Sequence, residues 1–162
     1  MSGERRKPKV SQYGSVDPAP PSPTPEIEQL TRQLCDEDAP MFQRMRAVFA
    51  LRNQRTDAAC LALCAGFESE SALLRHEIAY VLGQMQNPVA LPTLVGRLSD
   101  HDEHVMVRHE AAEAMGAIGD RSIIPSLEAF ADDPLPEVAE SCVVALDLLA
   151  WVEGSEFEET EC

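Results

Sequence analysis

The chain has 162 residues and 17.8 kDa, room for one domain, with 13 basic against 28 acidic side chains and a formal net charge of −15. That balance excludes a nucleic-acid-binding surface and an anionic membrane face, both of which need clustered Lys and Arg, while leaving a cationic partner compatible. A hydrophobic content of 44% suits a globular core, and no apolar run approaches the ~20 residues that span a bilayer.

Residues 1–25 read as a disordered, Pro-rich tail or linker, with prolines at positions 8, 18, 20, 21, 23 and 25. Met1 to Lys7 carries basic residues with no apolar stretch behind them, so it does not read as a secretory signal. The odd set of five cysteines, at 35, 60, 64, 142 and 162, has no framework spacing and points to a reducing, cytoplasmic setting. Cys60 and Cys64, beside Leu61 and Leu63, read as small apolar packing residues, as do Cys35 and Cys142.

Residues 26–152 read as helical throughout. Between Leu74 and Met85 the apolar positions 74, 78, 81, 82 and 85 recur at helical spacing, and between Val107 and Ile118 the set 107, 111, 114, 115 and 118 repeats them. Each is followed by a short Gly-, Asn- or Asp-containing break and a second, shorter helix, Ala90 to Val95 and Ile123 to Glu128. Pro92 and Pro125 sit near the starts of these, where a missing N–H costs little. The offset is 33 residues in both halves of the unit, 76 to 109 and 92 to 125. Weaker copies, Arg44 to Leu51 and Val138 to Leu146, lie 31 residues upstream and downstream (45 to 76, 107 to 138). A helical-hairpin period in the low thirties without strand signals predicts an all-α fold, an α-solenoid of HEAT-like helical hairpins. Glu153 to Cys162, with five glutamates, reads as a disordered acidic tail.

On a helical wheel with Leu74 at 0° the apolar stripe centres near 20°, and His76 falls at about 200°, with Glu77 at about 300°. His109 and Glu110 take the same angles one repeat later. Ala79 and Gly83 share the face of His76, as Ala112 and Gly116 share that of His109, and such small residues predict space beside the imidazoles. A packing residue should recur in every repeat, yet the His-Glu pair is replaced by Met45-Arg46 in the first copy and Glu140-Ser141 in the last. Stacked helices lie roughly 8–10 Å apart, so equivalent side chains of the two inner repeats can converge. Two imidazoles with one or two carboxylates make a mixed N/O site suited to non-haem iron or another borderline divalent metal; the alternative is a solvated His/Glu face. The pattern is not the HExxH zinc motif, since each His is followed directly by Glu. His101 and His104 lie in a polar loop and read as solvated.

The stretches Ser71 to Gln86 and Met106 to Gly119, each centred on an Arg-His-Glu triplet, closely resemble deoxyhypusine hydroxylase, a family of HEAT-repeat di-iron monooxygenases. The resemblance runs from about Tyr13 to Trp151. It implies Fe(2+)-dependent hydroxylation of the deoxyhypusine side chain of a translation factor, completing hypusine. It implies iron ligands at His76, Glu77, His109 and Glu110, with Glu77 and Glu110 as catalytic carboxylates. A carboxylate not used on iron, such as Glu77, is then available to hold an ammonium group of the substrate chain. Family members have two symmetric halves and four His-Glu motifs, whereas one pair of motifs occurs here. Ser15 to Pro21 resembles the connector between halves, so the chain resembles the carboxy-terminal half, preceded by the unmatched stretch Met1 to Gln12. At most one iron per chain is expected, with the other half supplied by a separate chain or by a second copy of this one. The alternative from a different class is a non-catalytic HEAT-repeat interaction module with vestigial His-Glu pairs.

Overall fold

The structure, a computed structural model, describes residues 7–159, with side chains as far as Gly154. Helices α1 (Ile27–Cys35), α2 (Met41–Gln54), α3 (Asp57–Ala65), α4 (Ala72–Met85), α5 (Leu91–Ser99), α6 (Val105–Ile118), α7 (Ile124–Phe130) and α8 (Pro136–Glu159) follow one another, with no strand among the described residues. Long and short helices alternate. The long helices α2, α4, α6 and α8 pack side by side in one layer, and the short ones lie behind them as the second layer. Helices α4 and α6 have 14 residues each and start 33 apart, 72 to 105, so the sequence period is the structural one.

Local chemistry sets these boundaries. Ser71 Oγ accepts the Leu74 N–H to start α4, Thr56 Oγ1 accepts the Ala59 N–H to start α3, and Pro92 and Pro125 occupy the first turns of α5 and α7. At the other end α2, α4 and α6 all stop in a left-handed residue, Arg55 (φ 53°), Gln86 (φ 52°) and Gly119 (φ 80°).

The core lies between the layers. Leu74, Ile78, Val81 and Leu82 of α4 are fully buried, and so are Val107, Ala111 and Met115 of α6. An arginine precedes each His-Glu register and is tied down in each repeat, Arg44 and Arg108 in the same manner. Arg44 Nε donates to the Leu34 carbonyl at 2.8 Å and Arg108 Nε to the Leu98 carbonyl at 2.9 Å, both ten residues back. Their Nη groups meet Glu37 at 2.8 Å and Asp133 at 2.6 Å. Arg75 instead grips Glu103 at 2.7 Å and donates to the Ser69 carbonyl at 2.7 Å.

Four details differ from the sequence expectations. Residues 7–25 form neither helix nor strand, as their prolines dictate, but they lie on α2 as a strap. Ala19 is buried, Asp17 takes two bonds from Arg52 at 2.8 and 2.9 Å, and Arg46 Nε donates to the Pro20 carbonyl at 3.1 Å. Residues 153–159 of the expected acidic tail continue α8, since Glu is a good helix former and nothing there ends the helix; residues 160–162 of that tail, and 1–6 of the other, lie outside the described residues. Cys35 is exposed, while Cys60 and Cys142 are buried as expected. The small residues behind the imidazoles leave no space, because the next long helix fills it. A Cβ on Gly83 would stand 3.1 Å from Ala114 Cα, and one on Gly116 would stand 2.8 Å from Ala145 Cβ.

Candidate metal centre

His76 projects from the middle of α4 and His109 and Glu110 from the same level of α6. A helix inside a solenoid is flanked by neighbours on both sides, so a face opposite its apolar stripe is still partly covered. The His76 and His109 side chains are accordingly only 29% and 23% exposed, and Glu110 is 11% exposed.

Glu110 is the centre of the group. Its Oε2 lies 3.2 Å from His76 Nε2 and 3.6 Å from His109 Nε2. Ligand atoms bound to one ion at about 2.0–2.2 Å stand about 3.0–3.6 Å apart when their bonds open at about 90–120°. Both distances from Glu110 Oε2 are of that size, and carboxylate with imidazole suits iron, zinc or manganese alike. The Glu110 carboxylate, hydrogen-bonded to His76, holds that imidazole above its ordinary value; burial opposes this, and the charges of Glu77 and Glu113 assist it.

Glu77 takes a different place. Neighbouring residues on a helix diverge by about 100°, and Glu77 Oε2 stands 4.0 Å from His76 Nδ1, the nitrogen on the other side of the ring. It lines a cleft of about 360 Å³ with Ser15, Val16, Asp17, Pro18 and Tyr80, where His76 and Glu110 also open. Burial pushes the Glu77 carboxyl above its ordinary value, partly offset by His76, and reinforced by the charges of Glu110 and Asp17. The His-Glu pair adjacent in sequence is thus split in space: the carboxylate that meets His76 comes from the following repeat.

Two contributors were absent from the sequence reading. Glu113 Oε1 lies 3.4 Å from His109 Nδ1, and His109, Glu110 and Glu113 offer ligand atoms all within 4.8 Å of one another. The signal for it was available, since Glu113 is one turn beyond His109 on the same face. Ser141 Oγ of α8 lies 2.6 Å from His109 Nδ1. Its only sequence trace is that it replaces Glu in the last repeat. His101 and His104 stand apart from the site: His104 Nδ1 accepts the Met106 N–H at the start of α6, and the His101 ring lies 6.1 Å from that of Phe130.

Comparison with known proteins agrees with this architecture. A family model described as HEAT repeats matches residues 27–105 and 61–147. The chain is 49% identical over 152 residues to deoxyhypusine hydroxylase of Candida albicans, covering 91% of this chain and 48% of that protein. It is 47% identical to the Homo sapiens enzyme, covering 94% and 50%, and 51% identical to deoxyhypusine hydroxylase-B of Oryza sativa subsp. japonica, covering 92% and 50%. The structure of human deoxyhypusine hydroxylase in complex with glycerol superposes with a TM-score of 0.85 at 49% identity, over 89% of this chain and 50% of that one. The chain therefore spans about half the length of the relatives it matches.

Proposed function

The chain belongs to the HEAT-repeat proteins, and from its likeness to half of the deoxyhypusine hydroxylases we propose that it is one half of an iron-dependent enzyme of that kind. Its substrate is then the deoxyhypusine side chain of a translation factor in the cytoplasm. The observation that carries this reading is the meeting of His76 and His109 on one oxygen of Glu110.

Iron, when bound, supplies activation of O2 for attack on an unactivated C–H bond, which no side chain provides. The protein's residues do the rest. His76, His109 and Glu110 hold the ion on the α4–α6 face. Glu77, on the far side of His76 and lining the cleft, receives an ammonium group of the substrate. A bound cation there draws the buried Glu77 carboxyl to its ionised form. Arg52, through Asp17, keeps the strap residues 15–18 as a wall of the cleft, so the substrate chain enters between strap and helix. The active unit is completed by a second half that carries the other pair of His-Glu motifs.

The test is iron per chain by elemental analysis after anaerobic purification, with the mass of the same sample and hydroxylation of a deoxyhypusine-bearing translation factor. Close to one iron per chain is expected, in a complex larger than a monomer. His109→Ala should lose the iron while far-UV circular dichroism stays nearly unchanged. Unaltered iron content in that variant would remove the ligand assignment. Absence of iron in wild-type monomer would favour the non-catalytic interaction module.

A further inference from the structure

Resting on the metal site proposed above, we infer that Ser141 is a positioning residue that fixes the ring tautomer of His109, placing the proton on Nδ1 and leaving Nε2 free to bind metal. An imidazole offers a lone pair to an ion only from its unprotonated nitrogen, and which nitrogen that is depends on what the other one bonds to. Hydrogen positions therefore have to be deduced from the partners.

Ser141 lies in the first turns of α8, and its Oγ is 2.7 Å from the Glu137 carbonyl one turn back. A carbonyl oxygen has no proton, so in that contact the serine hydroxyl is the donor. With its one hydrogen so committed, Ser141 Oγ can only accept from the His109 nitrogen 2.6 Å away, which must then be Nδ1–H. The second neighbour of Nδ1 agrees, since Glu113 Oε1 at 3.4 Å is an acceptor as a carboxylate. On the other edge of the ring, Nε2 is 3.6 Å from Glu110 Oε2, beyond hydrogen-bond length. That oxygen already lies within hydrogen-bond reach of His76 Nε2 at 3.2 Å. Both neighbours of Nδ1 thus give the same tautomer, and Nε2 has no hydrogen-bond acceptor against it among the described residues. The acidic residues around His109 are divided accordingly. Glu110 stands on the metal side and Glu113 on the orienting side.

The repeat explains why a serine occupies this position. Glu110 approaches His76 from the next long helix, and Ser141, at the corresponding place in α8, approaches His109 in the same way, 76 to 110 and 109 to 141. The last repeat has exchanged its metal-binding carboxylate for a hydroxyl that reaches the back of the ring. Ser141 is 5% exposed, so its hydroxyl is largely shielded from water.

The experiment is nitrogen-15 NMR of the imidazoles in metal-free protein above pH 8, with His109 assigned among the four histidines by the signal lost in His109→Ala. Binding of Co(2+) and Fe(2+) is measured on the same samples. Wild-type His109 should show the Nδ1–H tautomer. Ser141→Ala should shift it toward Nε2–H and weaken binding of either ion by about 10–100-fold, while Ser141→Thr, which keeps the hydroxyl, should restore both. An Nε2–H tautomer in the wild type overturns the inference, and so does a Ser141→Ala protein with unchanged tautomer. Failure of the metal reading looks different: the tautomer responds as stated, but neither ion binds the wild type.

Discussion

His76 and Glu110 are close enough to matter even without metal. Glu110 raises the His76 pKa above the ordinary imidazole value of 6.5, so the folded chain holds that proton more tightly than the unfolded chain does. The stability this contributes is fully present below pH 6.5 and is lost as pH rises through the higher folded value. Glu77, raised above 4.5 by burial, acts in the same sense in a lower window. In chelator-treated protein, Glu110→Gln should therefore flatten the fall in melting temperature above pH 6.5. The melting temperature of both proteins across pH 5–9 checks it, and an equal slope in the variant would remove the pair from the pH dependence.

The same residues show what a sequence reveals at this scale. His76, His109 and Glu110 were legible because they break a packing repeat, and a residue that packing does not require invites another explanation. Glu77 shared that signal but its carboxylate stands by His76 Nδ1 and lines the cleft, away from the Nε2 that meets Glu110. Arg44 and Arg108 were not legible. A charged residue on a helix reads as solvated until its partners are known, and Glu37 and Asp133 come from loops whose course the period does not define. Ser141 was hidden for the same reason: its contact with His109 crosses between repeats.

Among the elements, the spacing of the long helices is set by what they lack. Gly116 lets α8 approach until a Cβ there would be 2.9 Å from Ala145 Cα, a backbone atom that cannot turn aside. Gly96, inside α5, has nothing within 4 Å of its Cβ position. Alanine is favoured over glycine within a helix by about 1 kcal/mol, so the two sites should respond with opposite sign. Gly96→Ala should stabilise by about 0.5–1 kcal/mol, whereas Gly116→Ala should destabilise by about 1–3 kcal/mol as α6 and α8 are forced apart. Urea denaturation midpoints measure both. Stabilisation by Gly116→Ala would show that the interface yields freely. Since Ser141 sits on the displaced helix, Gly116→Ala should also weaken metal binding. The periodicity revealed the helices and their offset, but composition could not end α8, because a run of glutamates is as compatible with an exposed helix as with a tail.

At the scale of the whole molecule, the charge of −15 acts on any cationic ligand before contact is made. Deoxyhypusine carries protonated amines, and an acidic protein raises their local concentration and speeds encounter. Such steering reaches about one Debye length, roughly 10 Å at 0.1 M salt and about 3 Å at 1 M. In the proposed site, metal bound by His76, His109 and Glu110 would be held by short-range contacts that salt does not screen appreciably. Raising ionic strength on the active assembly should therefore raise KM for the deoxyhypusine-bearing substrate while leaving iron content and kcat nearly constant. Loss of iron in parallel would mean that salt disrupts the assembly instead of the encounter. A KM independent of salt would place recognition in the local Glu77 cleft alone, with the surrounding acidic surface serving solubility. The split between KM and iron content separates these cases because the two halves of the proposal reside in different physics: a screened field that gathers the substrate, and a set of three ligand atoms that seats the metal.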